Sequence, residues 1–296
     1  MIAASSAAGR FSLNQATVKH ADLETAVRVT AEAGIPSIGL WREPVAEHGL
    51  AASVRLVRDA GLRVSSLCRG GFFTVPEGPD RRAAIDENRR AIEETATLGA
   101  PTLVLVAGGL PAGSRDLVGA RARVADALAE LAPDAEAAGI SLAIEALHPM
   151  YASDRAVVST LKQALDFAAP FAPEVVGVVV DTFHLWWDPE LAEQVARAGR
   201  ERRIASYQVC DWVTPIAADP LLSRGIPGTG DIDFEAFSAL VRDAGYDGDV
   251  ECEVFRQEVW EADPAEVARS AAEAYERLVR PHLDAQPAES AVSRSR

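Results

Sequence analysis

Cysteine is scarce in this 296-residue chain and follows no pattern: Cys68, Cys210 and Cys252 stand far apart, with no CxxC pair. A disulfide framework and a thiolate zinc site are excluded, and the three read as reduced thiols of a cytoplasmic protein. Basic residues are also few. Twenty-nine Lys and Arg face forty-four Asp and Glu, a net charge of −15 with no basic stripe, which would repel nucleic-acid phosphates and anionic lipid. No apolar run is long enough to cross a bilayer, and the opening MIAASSAAGR has neither the basic start nor the apolar stretch of an export signal, so neither anchoring nor export is expected. Missing too are a glycine-rich dinucleotide loop after the first strand and a Walker lysine in GIPGTGD at 225–231, so no nucleotide cofactor is expected.

What is plentiful is apolar mass, 48% of residues, and it is laid out in a cadence. Short β-branched or apolar runs at 11–18, 37–41, 63–68, 102–108, 141–147, 176–181, 204–210 and 249–255 alternate with amphipathic segments rich in Ala, Glu and Arg. The words AEAGI, RDAGL, TLGAP, EAAGI and RDAGYDG each put a glycine where a helix would stop and a strand begin. Eight such units of unequal length, with no interior linker rich in Pro, Gly or Ser, predict an α/β chain folded as a single (β/α)8 TIM barrel over residues 1–280. An open doubly wound sheet is the alternative, and eight units favour closure. The last stretch, 281–296, lacks helical periodicity and is expected to be a disordered tail.

In a closed parallel barrel the C-terminal ends of the strands open on one mouth. There the fifth strand presents Glu145, the sixth Asp181, the seventh Gln208 and the eighth Glu253. Glu251 has the same parity as Glu253 and faces the same side; Glu253 is preferred as the one nearer the mouth. Converging carboxylates would repel one another or take up protons unless a cation sat among them. With an amide oxygen they make a hard, oxygen-only shell suited to Mn²⁺ or Mg²⁺. Taken singly, each acid could be a solvated loop residue or a helix cap, and it is the joint placement that points to a metal.

His148 follows Glu145 by three residues and His184 follows Asp181 by three, which puts two of the five histidines above the metal, where a neutral imidazole could accept a proton. Trp186 and Trp187 could stack on a sugar or pack the loop. Trp41 and Arg42 follow the second strand, Arg69 the third, and Arg224 lies in the loop after the seventh; the arginines could fix substrate oxygens or pair with the acidic rim.

The words AIEAL, VVDTFH, YQVCD, IPGTGDIDF and GYDGDVECEVF together resemble the xylose-isomerase-like sugar phosphate isomerase/epimerase barrels, from the first strand to about residue 280. The resemblance implies metal ligands at Glu145, Asp181 and Glu253, with Gln208 at a seventh-strand position frequently held by histidine, a sugar-contacting His184 and a substrate arginine at Arg224. The endonuclease IV branch is a poor match, since it needs a histidine-rich trinuclear zinc site and a basic surface.

More narrowly, IEALHPMYASDR, DTFHLWWDP and VCDW are similar to the catalytic subunits of bacterial C-glycoside deglycosidases. That similarity implies elimination of the aglycone from a 3-oxo-C-glycoside, with His148 as general base and a small all-β partner subunit. The expected substrate is a sugar or glycoside and the expected assembly an oligomer. A ketose epimerase or sugar isomerase would share the first step, removal of the proton beside a ketone, with Glu145 and Glu253 exchanging protons. A catalytically silent sugar-binding or scaffold barrel is the reading from another class, supported only by Gln208 standing where histidine is frequent.

Overall fold

The valine run that ends in an aspartate, Val176–Asp181, forms a strand buried along its whole length, and seven others join it in a closed ring. The computed structural model describes residues 9–285. The ring consists of β1 (Phe11–Asn14), β2 (Ser37–Trp41), β3 (Arg63–Gly71), β4 (Thr102–Val106), β5 (Ser141–Glu145), β6 (Val176–Asp181), β7 (Ile204–Val209) and, after the two short strands β8 (Asp211–Trp212) and β9 (Arg224–Gly225) outside it, β10 (Val250–Cys252). The ring strands pair in parallel in chain order, and β10 closes on β1 with Glu251 opposite Ser12. This is a (β/α)8 TIM barrel, as the cadence predicts. The first strand is shorter than 11–18 because the Asn14 side chain accepts the Ala16 N–H (2.9 Å) and starts a 3₁₀ turn over Gln15–Val18.

The helices are α1 (Leu23–Glu32), α2 (Arg42–His48), α3 (Leu50–Asp59), α4 (Pro79–Leu98), α5 (Leu117–Ala138), α6 (Leu161–Ala168), α7 (Thr182–Leu185), α8 (Leu191–Arg200), α9 (Phe234–Asp243), α10 (Gln257–Trp260), α11 (Pro264–Leu278) and α12 (Arg280–Asp284). Side-chain caps set the starts of several: Asp22 accepts from the Thr25 N–H, Thr160 from Gln163 and Asp233 from Ala236. The part of the expected tail that is described, residues 281–285, is ordered. α12 buries Leu283, and Arg242 donates to the His282 carbonyl (3.0 Å), so an apolar anchor and a hydrogen bond hold the chain past 280. Residues 286–296 lie outside the described residues.

Apolar side chains fill two places. The larger core lies between strands and helices, with Leu13, Ile38, Leu67, Leu103 and Val178 fully covered. Inside the ring, Cys68, Val104, Ala143 and Val179 form a small apolar plug across β3 to β6. The rest of that interior is polar: Ser12, Asn14, Ser66, Gln208 and Glu251 are all buried there. Buried polar groups persist when they are hydrogen-bonded or bind something, so this half of the ring positions whatever the barrel does.

Candidate active site

Asp181 ends β6 and caps the single turn α7: its Oδ1 accepts the N–H groups of Phe183 (2.7 Å) and His184 (3.2 Å). One turn advances about three residues, so the cap brings the His184 ring back over the strand ends. Glu145 ends β5, with Oε1 3.8 Å from His184 Nε2. Glu145, Asp181 and His184 each offer a ligand atom within 4.8 Å of the others, and all three are buried. Gln208 stands opposite Asp181 on β7; its Nε2 donates to Glu251 (3.3 Å), while its buried Oε1 has no hydrogen-bond partner. Glu253 lies just past β10, its Oε2 2.9 Å from Arg224 Nη1.

Arg224 gathers these groups. Its Nη1 also reaches Asp181 Oδ2 (3.3 Å), its Nη2 lies 2.8 Å from His184 Nε2, and the guanidinium stacks on the Phe183 and Phe255 rings. It arrives on the loop between β7 and α9, where β8 and β9 pair antiparallel. One carboxylate ties that loop: Asp211, fully buried, accepts N–H groups from Trp212 (2.9 Å), Gly228 (2.8 Å), Gly230 (2.8 Å) and Ile232 (3.0 Å). Residue 230 has to be glycine, since a Cβ there would lie 2.1 Å from the Trp212 carbonyl oxygen. Neither VCDW nor GIPGTGD alone marks this role of Asp211, although an acid at a strand end followed by a glycine-rich loop is a usable signal for it.

Above the cluster opens a cleft walled by Trp41, Arg69, Phe72, Arg155 and Phe255 and floored by Glu145, His184, Arg224 and Glu253. The Trp41 indole donates to Asn14 Oδ1 (2.8 Å), and the Arg69 guanidinium stacks on the Trp41 and Phe72 rings.

Residues 27–278 match the family model of the xylose isomerase-like TIM barrel. The chain belongs to the xylose isomerase-like TIM barrel family. The solved structure of protein SMc04130 from Sinorhizobium meliloti 1021 is 44% identical, with a TM-score of 0.89 over 92% of this chain and 99% of that one. An inosose isomerase of Bacillus velezensis is 27% identical over 241 residues, 80% of this chain and 83% of the relative. The IolI protein with a binding zinc atom has the same fold, at 23% identity and a TM-score of 0.80 over 92% of this chain and 99% of that one.

In this xylose isomerase-like barrel three buried carboxylates face one guanidinium. Burial, reinforced by Asp181 and Glu253, pushes Glu145 well above the usual carboxylate range, and burial pushes Glu253 up to about 7 against the pull of Arg224. Ionised, the three acids exceed Arg224 by two negative charges, the charge of one divalent cation. Two buried acceptors, Glu145 Oε1 and Gln208 Oε1, have no hydrogen-bond partner. The donor set therefore fits such an ion. To the oxygen-only shell expected for Mn²⁺ or Mg²⁺ the structure adds the His184 imidazole, a donor that also suits Zn²⁺. Burial, with Arg224 next to it, holds His184 well below the ordinary imidazole range and hence neutral. A neutral imidazole has one lone pair, which either accepts the His148 N–H at Nδ1 (3.1 Å) or faces Arg224 Nη2 at Nε2 (2.8 Å), so His184 ligates a cation only with Nε2 unprotonated and released by Arg224.

A pH dependence follows. Between pH 6.5 and about 8 the unfolded carboxyls are ionised while the folded Glu145 and Glu253 still bind protons, so the folded state holds more protons and loses stability as pH rises. Below 6.5 the lowered pKa of His184 opposes this trend. Chelator-treated protein is expected to melt at a lower temperature at about pH 8 than at pH 6.5, and Mn²⁺ to remove the difference; equal slopes with and without the ion would contradict the cation site.

Four sequence candidates sit elsewhere. Arg42, expected at the cleft, pairs instead with Glu87 (2.7 Å) and Glu94 (2.5 Å), which lie two turns apart on one face of α4 and capture the guanidinium. Trp186 packs its ring on Trp212, and Trp187 donates its indole N–H to the His184 carbonyl (2.7 Å); with their rings held by these contacts, neither lines the cleft. The His148 ring is held near Trp187 and Trp212 and does not line the cleft either. Phe72, Phe255, Arg155, Asn14 and Asp211 are among the site residues that sequence reasoning missed.

Proposed function

We propose that the protein is a divalent-cation-dependent sugar isomerase or epimerase that moves a proton on the carbon beside a ketone, with an inosose or a ketose as its substrate class. The observation that carries this reading is the placement of Glu145 and Glu253. Both line the cleft, three strands apart around the ring, with the elements bearing Asp181, His184 and Arg224 between them. Two carboxylates on different sides of one carbon can pass a proton through it, one removing and the other returning it. Arg224 donates toward oxygens that gain negative charge, His184 contributes a neutral imidazole, and Trp41 and Phe255 limit access of water. Glu145, Asp181, Gln208 and Glu253, with His184 in reach, would hold the cation. When bound, it supplies Lewis acidity that stabilises the developing charge. The inosose isomerase relative supports a cyclic polyhydroxy ketone.

The test is proton exchange. Mn²⁺-supplemented protein in D₂O is expected to place deuterium on the carbon next to the carbonyl of an inosose or a ketose, read by NMR. Absence of exchange from either class would overturn the proposal.

Elimination from a 3-oxo-C-glycoside has less support. It needs the His148 ring as base, yet His148 Nδ1 accepts the Met150 N–H (3.2 Å), which leaves the proton of the neutral ring on Nε2. The small all-β subunit belongs to that reading alone. His148→Ala is expected to leave Mn²⁺ content unchanged and to lower kcat/KM by less than the ~10²-fold that a general base supplies at minimum. A larger loss would reinstate the ring as base.

A further inference from the structure

Beneath the site, Glu251 buries its carboxylate inside the ring at 1% exposure. Four neutral donors surround it: Asn14 Nδ2 (2.7 Å) and Gln208 Nε2 (3.3 Å) on Oε1, Ser65 Oγ (2.5 Å) and Ser66 Oγ (2.8 Å) on Oε2. An ionised carboxylate offers about four lone-pair positions, and all four are met. Space is kept for it as well, since a Cβ on Gly39 would lie 2.6 Å from the carboxyl carbon. The chemistry proposed above makes no use of this group.

We infer that Glu251 is a positioning residue that orients the Gln208 amide so that its oxygen, and not its nitrogen, faces the cation site. A primary amide has a donor end and an acceptor end of nearly the same shape, and a half-turn exchanges them. Only the neighbours decide which end points where. A carboxylate accepts and does not donate, so it holds the NH₂ end toward itself and turns the oxygen away. Asn14 obeys the same rule: its Nδ2 meets Glu251, and its Oδ1 faces outward to the Trp41 indole (2.8 Å) and the Ala16 N–H (2.9 Å). Asn14 is thus fixed at both ends. Gln208 is fixed at one, because its Oε1 has no protein partner, so its orientation rests on Glu251. Turned the other way, the amide would aim a donor at a cation and could not ligate. Glu251 makes Gln208 usable as an oxygen ligand in a strand where an imidazole would need no such help.

This inference rests on the reading that a divalent cation binds among Glu145, Asp181 and Gln208. A double-mutant cycle separates the two ideas. Wild type, Glu251→Gln, Gln208→Ala and the double variant are stripped with chelator, checked for folding by circular dichroism, and titrated with Mn²⁺ by calorimetry. Glu251→Gln replaces the carboxylate by an amide that tolerates either orientation of Gln208. It is expected to weaken Mn²⁺ binding by about 10- to 100-fold, the range for groups that orient a ligand. In the Gln208→Ala background the same change is expected to cost nothing further, because the side chain it orients is gone. Equal losses in both backgrounds, or no loss in either, would overturn the inference. A wild type that binds no Mn²⁺ would instead overturn the cation reading itself. Should Glu251→Gln not fold, Gly39→Ala takes its place in the cycle, displacing the carboxyl from its seat without removing it.

Discussion

Asp181→Asn is expected to lower α-proton exchange and Mn²⁺ affinity together, turnover falling by roughly 10³-fold, while the melting temperature stays nearly constant. The substitution keeps one oxygen, which still accepts the Phe183 and His184 N–H groups, so α7 and the His184 ring stay in place. The other end becomes an NH₂ that faces Arg224 Nη1, a donor against a donor where a carboxylate oxygen stood at 3.3 Å. The site loses one negative charge from the set that would hold the cation, and the guanidinium loses one of its two carboxylate partners. Little stability is lost, because the carboxylate it replaces is itself raised in pKa by burial. Calorimetry, D₂O exchange and thermal melting on one preparation check the three parts. Exchange within tenfold of wild type would remove Asp181 from the machinery.

Asp211→Ala is the change expected to cost most in stability. Four backbone N–H groups lose one shared acceptor inside the protein, and charge-assisted bonds of this kind contribute about 1.5 to 3 kcal/mol each before compensation by water. A net loss of about 3 to 5 kcal/mol is expected, a fall of roughly 10 °C in melting temperature. The damage also reaches the site. β9 carries Arg224, and once the loop is untied the guanidinium no longer has a fixed path to Asp181 and Glu253. Activity is therefore expected to fall further than Mn²⁺ affinity, since Asp181 and Glu145 stand on barrel strands that the loop does not hold. Asp211→Asn, with one acceptor end and one donor end for four donors, is expected to lie between wild type and Ala. An unchanged melting temperature in Asp211→Ala would show that the loop is held by other contacts.

Much of the barrel is readable because strand and helix patterns are local. In Val176–Asp181 and Ser37–Trp41 the residues are apolar or small up to the terminal aspartate of the first, and the structure keeps both strands at the bounds the sequence predicts. Strand ends that carry a polar residue then point to one mouth by topology alone. That is why Glu145, Asp181 and Glu253 could be singled out before any contact was known. Arg42 fails the same logic. Nothing near it in sequence distinguishes a rim arginine from one captured by a helix, and its partners Glu87 and Glu94 are 45 and 52 residues away. Glu251 and Glu253 differ only in depth, and depth becomes function only when Asn14, 237 residues away, and Ser65 and Ser66 close on the lower one.

By itself, then, the sequence determined a closed β/α ring, its single mouth and the acids that reach it, because alternation, breakers and parity are properties of neighbouring residues. Only the tertiary structure decided which charges are partners: Arg224 for Asp181 and Glu253, Arg42 for α4, Glu251 for two amides, and Asp211 for a loop of glycines. A long polar side chain bonds to whatever the fold brings within about 3 Å of it, and that identity is set by closure of the ring rather than by spacing along the chain.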